Sequence, residues 1–133
     1  MLSRLFSHSL IGSSSTSLLR SLAQVVHITD ENFQDVVLDS KKPVIVDFFA
    51  NWCGPCKMLG PLIEAEAAKS GDEIVVAKID VDENPQSAMD SMVTALPTVI
   101  SFHKGEAKDR FVGLVPQHIL ADFFAKTKGL ADE

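Results

Sequence analysis

Cysteine is scarce in this chain of 133 residues, and long apolar runs are missing. The two cysteines stand only three positions apart, so they are too few and too close for the disulfide framework of a small secreted domain. No apolar stretch approaches the roughly 18 to 20 residues that cross a bilayer, so we expect no membrane anchor. With 46% hydrophobic and 23% charged residues, the chain can bury a core and fold as one soluble domain.

Acidic residues are absent from the first 29 positions, and all 18 of them fall from Asp30 onward. This leading stretch instead carries Arg4, Arg20 and many serines, and its apolar residues give it one apolar side. Such a composition is typical of a mitochondrial transit peptide, which we assign to residues 1–24. We expect cleavage between Arg20 and Val25, and the alternatives are a disordered tail or a weak secretory signal.

The remaining segment, residues 25–133, is predicted to be the folded domain, and it is acidic. Removing the two leader arginines from the 12 basic residues leaves ten against 18 acidic ones, a net charge near −8. Because a negative surface repels a polyanion, we do not expect nucleic acid as a partner.

Hydrophobic periodicity in this domain predicts a single α/β fold. Apolar runs typical of buried strands begin at Val25, Val44, Ile74 and Thr98, and segments with helical spacing separate the first four runs. The Lys104-Gly105 pair marks a hairpin that ends at Val112, and a last helix follows it. Parallel strands need crossover helices, and a hairpin adds an antiparallel edge. The pattern therefore predicts a central mixed sheet with helices on both faces.

The strongest chemical signal is Cys53-Gly54-Pro55-Cys56, which follows a buried strand and opens a helix. At a helix N-terminus, unpaired N–H groups and the helix dipole stabilise the thiolate of Cys53 and make it a nucleophile. The two intervening residues form a turn that holds both sulfurs within bonding reach. Cys56 can then resolve the mixed disulfide that Cys53 forms with a substrate.

Two structural alternatives for the cysteine pair are a zinc site and a stabilising disulfide. Zinc needs four ligands, but the chain has no further cysteine and the histidines of the folded part lack a paired ligand spacing. A disulfide that closes a gap of two residues removes little chain entropy and would stabilise the fold only slightly. Both considerations favour redox chemistry, and we predict no metal site.

One polar residue, Asp47, interrupts the apolar run from Val44 to Phe49. Burial of a carboxyl raises its pKa, which suits proton exchange near neutral pH. We therefore predict that Asp47 is buried and is the proton acceptor for Cys56. A strand residue that faces solvent is the alternative.

The segment from Val46 to Lys57 resembles the active-site segment of the thioredoxin family nearly residue for residue, and the similarity runs from about Val25 to Leu130. The resemblance implies the thioredoxin fold and a protein-disulfide reductase with a redox-active disulfide between Cys53 and Cys56. It implies no bound cofactor: reducing equivalents come from NADPH through a flavoprotein, thioredoxin reductase. They pass to disulfide-containing proteins such as peroxiredoxins. The leader makes the chain similar to the mitochondrial branch, which implies a monomer that maintains redox homeostasis in the matrix.

The resemblance also assigns roles outside the motif. Lys78 matches the lysine that approaches the buried acid and modulates it, and Pro97 matches a cis proline that faces the cysteine pair, although sequence alone favours trans. The residues expected to bind substrate are Trp52, Gly54, Pro55, Leu96 and Gly113. The backbone of Leu96 would offer its N–H and C=O to an extended substrate segment. Phe49 departs from the family, because many members carry a second tryptophan there.

Two other functions use the same fold. One is a disulfide oxidase or isomerase, which differs in redox poise. Gly54-Pro55 argues against it, since isomerases often place a histidine between the cysteines. The other is a binding module that acts whatever its redox state.

Overall fold

The computed structural model describes residues 25–133, and the predicted transit peptide, residues 1–24, lies outside them. Within residues 25–133 the strands are β1 (Val25–His27), β2 (Val44–Phe49), β3 (Val75–Asp80), β4 (Thr98–His103) and β5 (Glu106–Val112). They form a five-stranded sheet in the order β1-β3-β2-β4-β5. β3 runs parallel to β1 and β2, whereas β4 is antiparallel to β2 and to β5. The predicted mixed sheet is confirmed.

Three α-helices connect or follow the strands in the described part of the chain. They are α1 (Gly54–Ser70), α2 (Pro85–Asp90) and α3 (Gln117–Gly129). A short π-helical segment (Gln34–Leu38) precedes β2, and a 3₁₀ turn (Leu130–Asp132) follows α3. No helix among residues 25–133 is long and apolar enough to cross a membrane.

The side chains of β2 alternate between the two faces of the sheet, and each face carries its own core. Val44, Val46 and Phe48 belong to the cluster that includes Val37 of the π-helical segment and residues next to or in α2. Ile45 belongs to the opposite cluster, with residues of α1 and α3. Helices therefore cover both faces, as the periodicity predicted. Asp47 has the same parity as Ile45, so its side chain points toward α1, the helix that begins at the cysteine motif.

The segment after β1 contains only a short helical part, although the hydrophobic spacing predicted a helix there. The helical part is short, and Thr29 takes the local capping position: its backbone N–H donates to Asn32 Oδ1 at 2.7 Å. Asp30 instead caps a distant helix, α2. Its Oδ1 accepts the N–H of Ser87 at 2.8 Å and its Oδ2 accepts the N–H of Gln86 at 3.2 Å. Two orphan donors at the start of α2 are thereby satisfied.

Candidate active site

The cysteine pair lies where β2 leads into α1. Cys53 is the N-cap residue of α1, and it forms a disulfide with Cys56 across a Cα–Cα distance of 5.3 Å. The backbone N–H of Cys56 donates to the Cys53 sulfur at 3.3 Å. Pro55 lies in the first helical turn, where the absence of its N–H costs no intrahelical bond. A negative charge on the Cys53 sulfur is therefore favoured by an N–H donor and by the helix dipole.

A ring of side chains surrounds the two buried cysteines. Ala50, Cys53 and Cys56 form a small apolar cluster, and Phe49, Val81 and Leu96 pack against it. Trp52 stands out from this surface with 71% of its area exposed. The structure thus brings Trp52, Leu96 and the two cysteines into one region.

The position of Trp52 is set by two acidic residues at the carboxyl end of β3, Asp80 as its last residue and Asp82 just after it. The indole N–H donates to Asp82 Oδ2 at 2.8 Å, and the backbone N–H of Asp82 donates to Asp80 Oδ1 at 2.9 Å. Asp80 also accepts a hydrogen bond from the Asn51 amide at 3.4 Å. Sequence reasoning gave Asp80 and Asp82 no role. Their position at the carboxyl end of a predicted strand could have indicated a role. β3 pairs in parallel with β2, so its carboxyl end lies beside the cysteine motif that follows β2.

Asp47 is buried behind the cysteine pair, with 2% of its surface exposed. Burial raises the pKa of its carboxyl from 3.8 to about 6, although the positive charge of Lys78 lowers it in part. Among residues 25–133, the Oδ1 atom of Asp47 has no hydrogen-bond partner. A buried carboxyl whose oxygen accepts no hydrogen bond from the described residues suits the predicted role of proton acceptor.

A cleft of about 220 Å³ joins Asp47 to Cys56 and to solvent. Its other charged walls are Lys57, Glu64 and Lys78. The cleft is polar enough and large enough for water, which can carry a proton between the carboxyl and the second cysteine.

Lys78 lies opposite Asp47 in the pairing of β3 with β2. Its Nζ is 4.4 Å from the centre of the Phe49 ring, a cation–π contact. Phe49, which departs from the family pattern, therefore keeps an aromatic surface that holds the lysine near the buried acid.

The turn before β4 forms another side of the site. The peptide bond between Leu96 and Pro97 is cis. The C=O of Pro97 accepts the N–H of Gly113 at 2.8 Å, and Gly113 has a φ of 93°, which favours glycine. Thr98 pairs with Val112, so the start of β4 and the end of β5 meet here. Leu96, Pro97 and Gly113 are adjacent, and their roles in binding substrate stay predictions.

An apolar groove of about 340 Å³ extends from this turn along α2. We call it the α2 groove, and its main walls are Trp52, Val81, Ala88, Met89, Val93 and Leu96. Sequence reasoning placed no functional residue on α2. The signal it passed over is the pair Met89 and Met92, large apolar residues that both lie exposed at the end of this short helix.

Metal-ligating side chains are not clustered in the described part of the chain. No group of three or more His, Cys, Asp or Glu residues within 25–133 is arranged to hold a metal ion.

A disulfide at a helix N-terminus, backed by a buried carboxyl and set in a mixed sheet between helices, defines a protein-disulfide oxidoreductase that works by dithiol–disulfide exchange. The thioredoxin family model matches residues 24–126, and the chain belongs to the thioredoxin family. The predicted fold and oxidoreductase activity are confirmed.

The relatives of the chain include bacterial and mitochondrial thioredoxins. Thioredoxin of Mycolicibacterium smegmatis is 52% identical over 90 residues, which are 66% of this chain and 80% of that protein. Mitochondrial thioredoxin of Bos taurus is 44% identical over 98 residues, 74% of this chain and 59% of the bovine protein's length. A crystal structure of Malassezia sympodialis thioredoxin has a TM-score of 0.72 and 36% identity, covering 78% of this chain and 90% of that one.

Proposed function

We propose that this protein is a mitochondrial disulfide reductase, which NADPH keeps reduced through a flavoprotein thioredoxin reductase and which holds no cofactor of its own. The observation that carries the proposal is the Cys53–Cys56 disulfide at the start of α1 with Asp47 buried behind it. The residues between the cysteines add support. Gly54-Pro55 places no histidine there, and a histidine would favour the thiolate and make the pair more oxidising.

In the first step of the proposed reaction, the Cys53 thiolate attacks one sulfur of a substrate disulfide. A bond forms between Cys53 and that sulfur, and the other substrate sulfur leaves as a thiolate. The N–H of Cys56 and the dipole of α1 stabilise the attacking charge. Cys53 is thereby oxidised from a thiolate to a disulfide sulfur, and the departing substrate sulfur is reduced by the same amount, so the two-electron exchange is half complete.

In the second step, Cys56 loses its proton to Asp47, directly or through water in the cleft that both residues line. The new thiolate attacks the Cys53 sulfur and releases the second substrate thiolate. Cys53 and Cys56 end as a disulfide, and the substrate has gained two electrons. A carboxyl whose pKa is about 6 is mostly ionised at neutral pH, so Asp47 is ready to accept this proton.

Substrate docking is assigned to the surface around the disulfide. We propose that an extended segment lies against the Leu96–Pro97 turn and pairs with the backbone of Leu96. Trp52, Gly54, Pro55 and Gly113 supply the flat surrounding surface. Because backbone hydrogen bonds do not depend on side-chain identity, such a site accepts many sequences, and peroxiredoxins are among the proposed partners.

The mitochondrial assignment is supported by the acid-free leader of residues 1–24 and by the 44% identity to mitochondrial relatives. A bacterial relative is 52% identical, so identity alone does not favour mitochondria and the leader carries this part of the proposal. Import of the full chain into isolated mitochondria, compared with residues 25–133 alone, tests it. Import of the full chain only is expected, and equal import or none contradicts the assignment.

A coupled assay tests the reductase assignment. NADPH consumption is followed in the presence of a flavoprotein thioredoxin reductase, a protein disulfide and the full chain. The protein is proposed to act as a monomer. Activity that disappears in Cys53→Ser supports the proposal. Activity that survives in Cys53→Ser, or NADPH consumption that does not depend on the chain, contradicts it.

A further inference from the structure

All three methionines of the described residues are exposed, which is unusual for a side chain that generally packs in cores. The exposed fractions are 64% for Met58, 69% for Met89 and 75% for Met92. Only Met89 lines the α2 groove. Residues 25–133 therefore offer three similarly accessible thioethers, and one of them lies in a wall of the groove next to the proposed docking surface.

The α2 groove is continuous with the cysteine site. Trp52 and Leu96 line the groove, and Leu96 also packs against the cluster that contains both cysteines. A substrate segment that leaves the Leu96–Pro97 turn toward α2 would place its next apolar side chain in this groove. The occupant we infer is the apolar residue that flanks the reactive cysteine of a protein substrate.

The backbone that carries Met89 is fixed in place. Asp30 holds the first turn of α2 through the N–H groups of Gln86 and Ser87. On the other side, Asp82 holds the indole of Trp52. Since both walls are held by hydrogen bonds, a change of polarity at the Met89 side chain cannot be removed by moving the helix.

We propose that Met89 is an oxidation site that controls the docking of protein substrates in the α2 groove; this inference rests on the proposed function. The oxidant is a hydroperoxide. The thioether sulfur attacks one peroxide oxygen, the O–O bond breaks and an S–O bond forms. Sulfur loses two electrons, the peroxide gains them and leaves as water or an alcohol, and Met89 becomes methionine sulfoxide.

The sulfoxide weakens docking because it places a strong hydrogen-bond acceptor in an apolar wall. An apolar substrate side chain that enters the groove then removes water from this acceptor without replacing its hydrogen bonds. We expect kcat/KM for protein disulfides to fall about tenfold. Exchange with a small disulfide, which needs only the cysteines, is expected to keep its rate.

The experiment uses the full chain in its disulfide form, which protects both cysteines from the peroxide. Hydrogen peroxide is added and then removed with catalase, and peptide mass spectrometry measures the oxygen gained at each methionine and at Trp52. The protein is then assayed with a protein disulfide and with a small aromatic disulfide. Met89→Leu is the test variant, and Met58→Leu and Met92→Leu are the matched controls. Each chain is judged by its own ratio of treated to untreated kcat/KM.

With the protein disulfide, peroxide treatment is expected to lower kcat/KM in the wild type and in both controls but not in Met89→Leu. With the small disulfide, treatment is expected to leave kcat/KM unchanged in every chain. The proposal is overturned if Met89 gains no oxygen or if treatment lowers the kcat/KM of Met89→Leu as much as that of the wild type. It is also overturned if treatment lowers kcat/KM equally for the protein disulfide and the small disulfide. A failure of the proposed function is seen separately, because the untreated wild type would then not reduce the protein disulfide.

Discussion

Asp47 combines the two properties that a proton acceptor for a buried thiol needs, access to the second cysteine and a pKa near neutrality. Both follow from one residue's place in β2. Its neighbours in the strand are apolar, its side chain points toward α1, and burial raises its pKa to about 6. The cost is a buried charge at neutral pH, so this group favours catalysis at the expense of the free energy of unfolding.

Replacing Asp47 is expected to stabilise the fold in a pH-dependent way. A carboxyl whose pKa rises from 3.8 to about 6 disfavours its ionised form by about 3 kcal/mol. The folded state binds the proton more tightly than the unfolded state. Ionisation therefore removes stability as pH rises from about 4 to about 6, and the loss is complete above that range. Asp47→Ala should show a larger gain in unfolding free energy at pH 8 than at pH 4, measured by denaturant unfolding.

Asp47→Asn is the matched control, because it keeps the shape and removes only the charge. It should show the same pH trend as Asp47→Ala, and both should slow the step that needs deprotonated Cys56. A gain that does not change with pH, or lower stability with unchanged kinetics, would contradict the role given to this residue.

Lys78 is expected to tune Asp47 rather than to neutralise it. Its charge lowers the pKa of the carboxyl against the larger effect of burial. Lys78→Gln should therefore raise the pKa of Asp47 above about 6, and a carbon-13 NMR titration of the Asp47 carboxyl would follow it. Lys69→Gln, which removes a lysine paired with Glu66, is the control. An unchanged or lower pKa in Lys78→Gln would rule out the proposed influence.

The sequence identified some of these residues better than others. Asp47 was predictable because a lone acid in an apolar strand is conspicuous. Asp80 and Asp82 were not, because their contacts with Asn51 and Trp52 exist only after β3 has paired with β2. Local pattern reports burial well, but it does not report which side chains the sheet brings together.

Among the elements, α2 depends most on contacts from elsewhere in the chain. It has six residues, and no side-chain cap comes from its own N-cap residue, Asn84. Asn84 instead accepts the N–H of Asp30 at 2.9 Å, and the Asp30 carboxylate accepts the N–H groups of Gln86 and Ser87. The α2 groove therefore owes the position of one wall to the segment after β1.

Asp30→Ala is expected to lower the free energy of unfolding by about 1 kcal/mol, the usual cost of a lost helix cap. Burial acts to raise the pKa of Asp30, but the hydrogen bonds from Ser87 and Gln86 act against it, and the net pKa is lowered. The carboxylate thus contributes stability above its unfolded pKa and loses it as pH falls through the lower folded value. Denaturant unfolding of the wild type and the variant should converge at acidic pH.

Asp35→Ala is the control, since Asp35 is an exposed acid in the π-helical segment. If both variants lowered the free energy of unfolding equally, Asp30 would act only through its negative charge and not as the cap of α2. The sequence did not reveal the cap that Asp30 provides, because its partner Ser87 lies 57 positions away along the chain. Helix signals in sequence are local, whereas this cap is tertiary.

For the whole molecule, hydrophobic periodicity predicted the succession of strands and helices along the chain. The continuous apolar run of β2 indicated a central strand, and it lies between β3 and β4. The hairpin of β4 and β5 followed from Lys104-Gly105, both of which have positive φ angles. The sequence did not predict the order of the strands within the sheet, because that order depends on how the crossover connections pack. It did not predict the α2 groove either, because the groove exists only where α2 meets the Leu96–Pro97 turn.

The reduction potential of the Cys53–Cys56 pair distinguishes the proposed reductase from an oxidase or isomerase with the same fold and motif. The full chain is equilibrated with thiol–disulfide redox buffers of known potential, and the fluorescence of Trp52, the chain's one tryptophan, reports the reduced fraction. A tenfold change in the equilibrium corresponds to about 30 mV for this two-electron couple. We expect a potential well below roughly −230 mV, as in a reductase. A value near roughly −180 mV or higher would identify an oxidase or isomerase and rule out the proposed function.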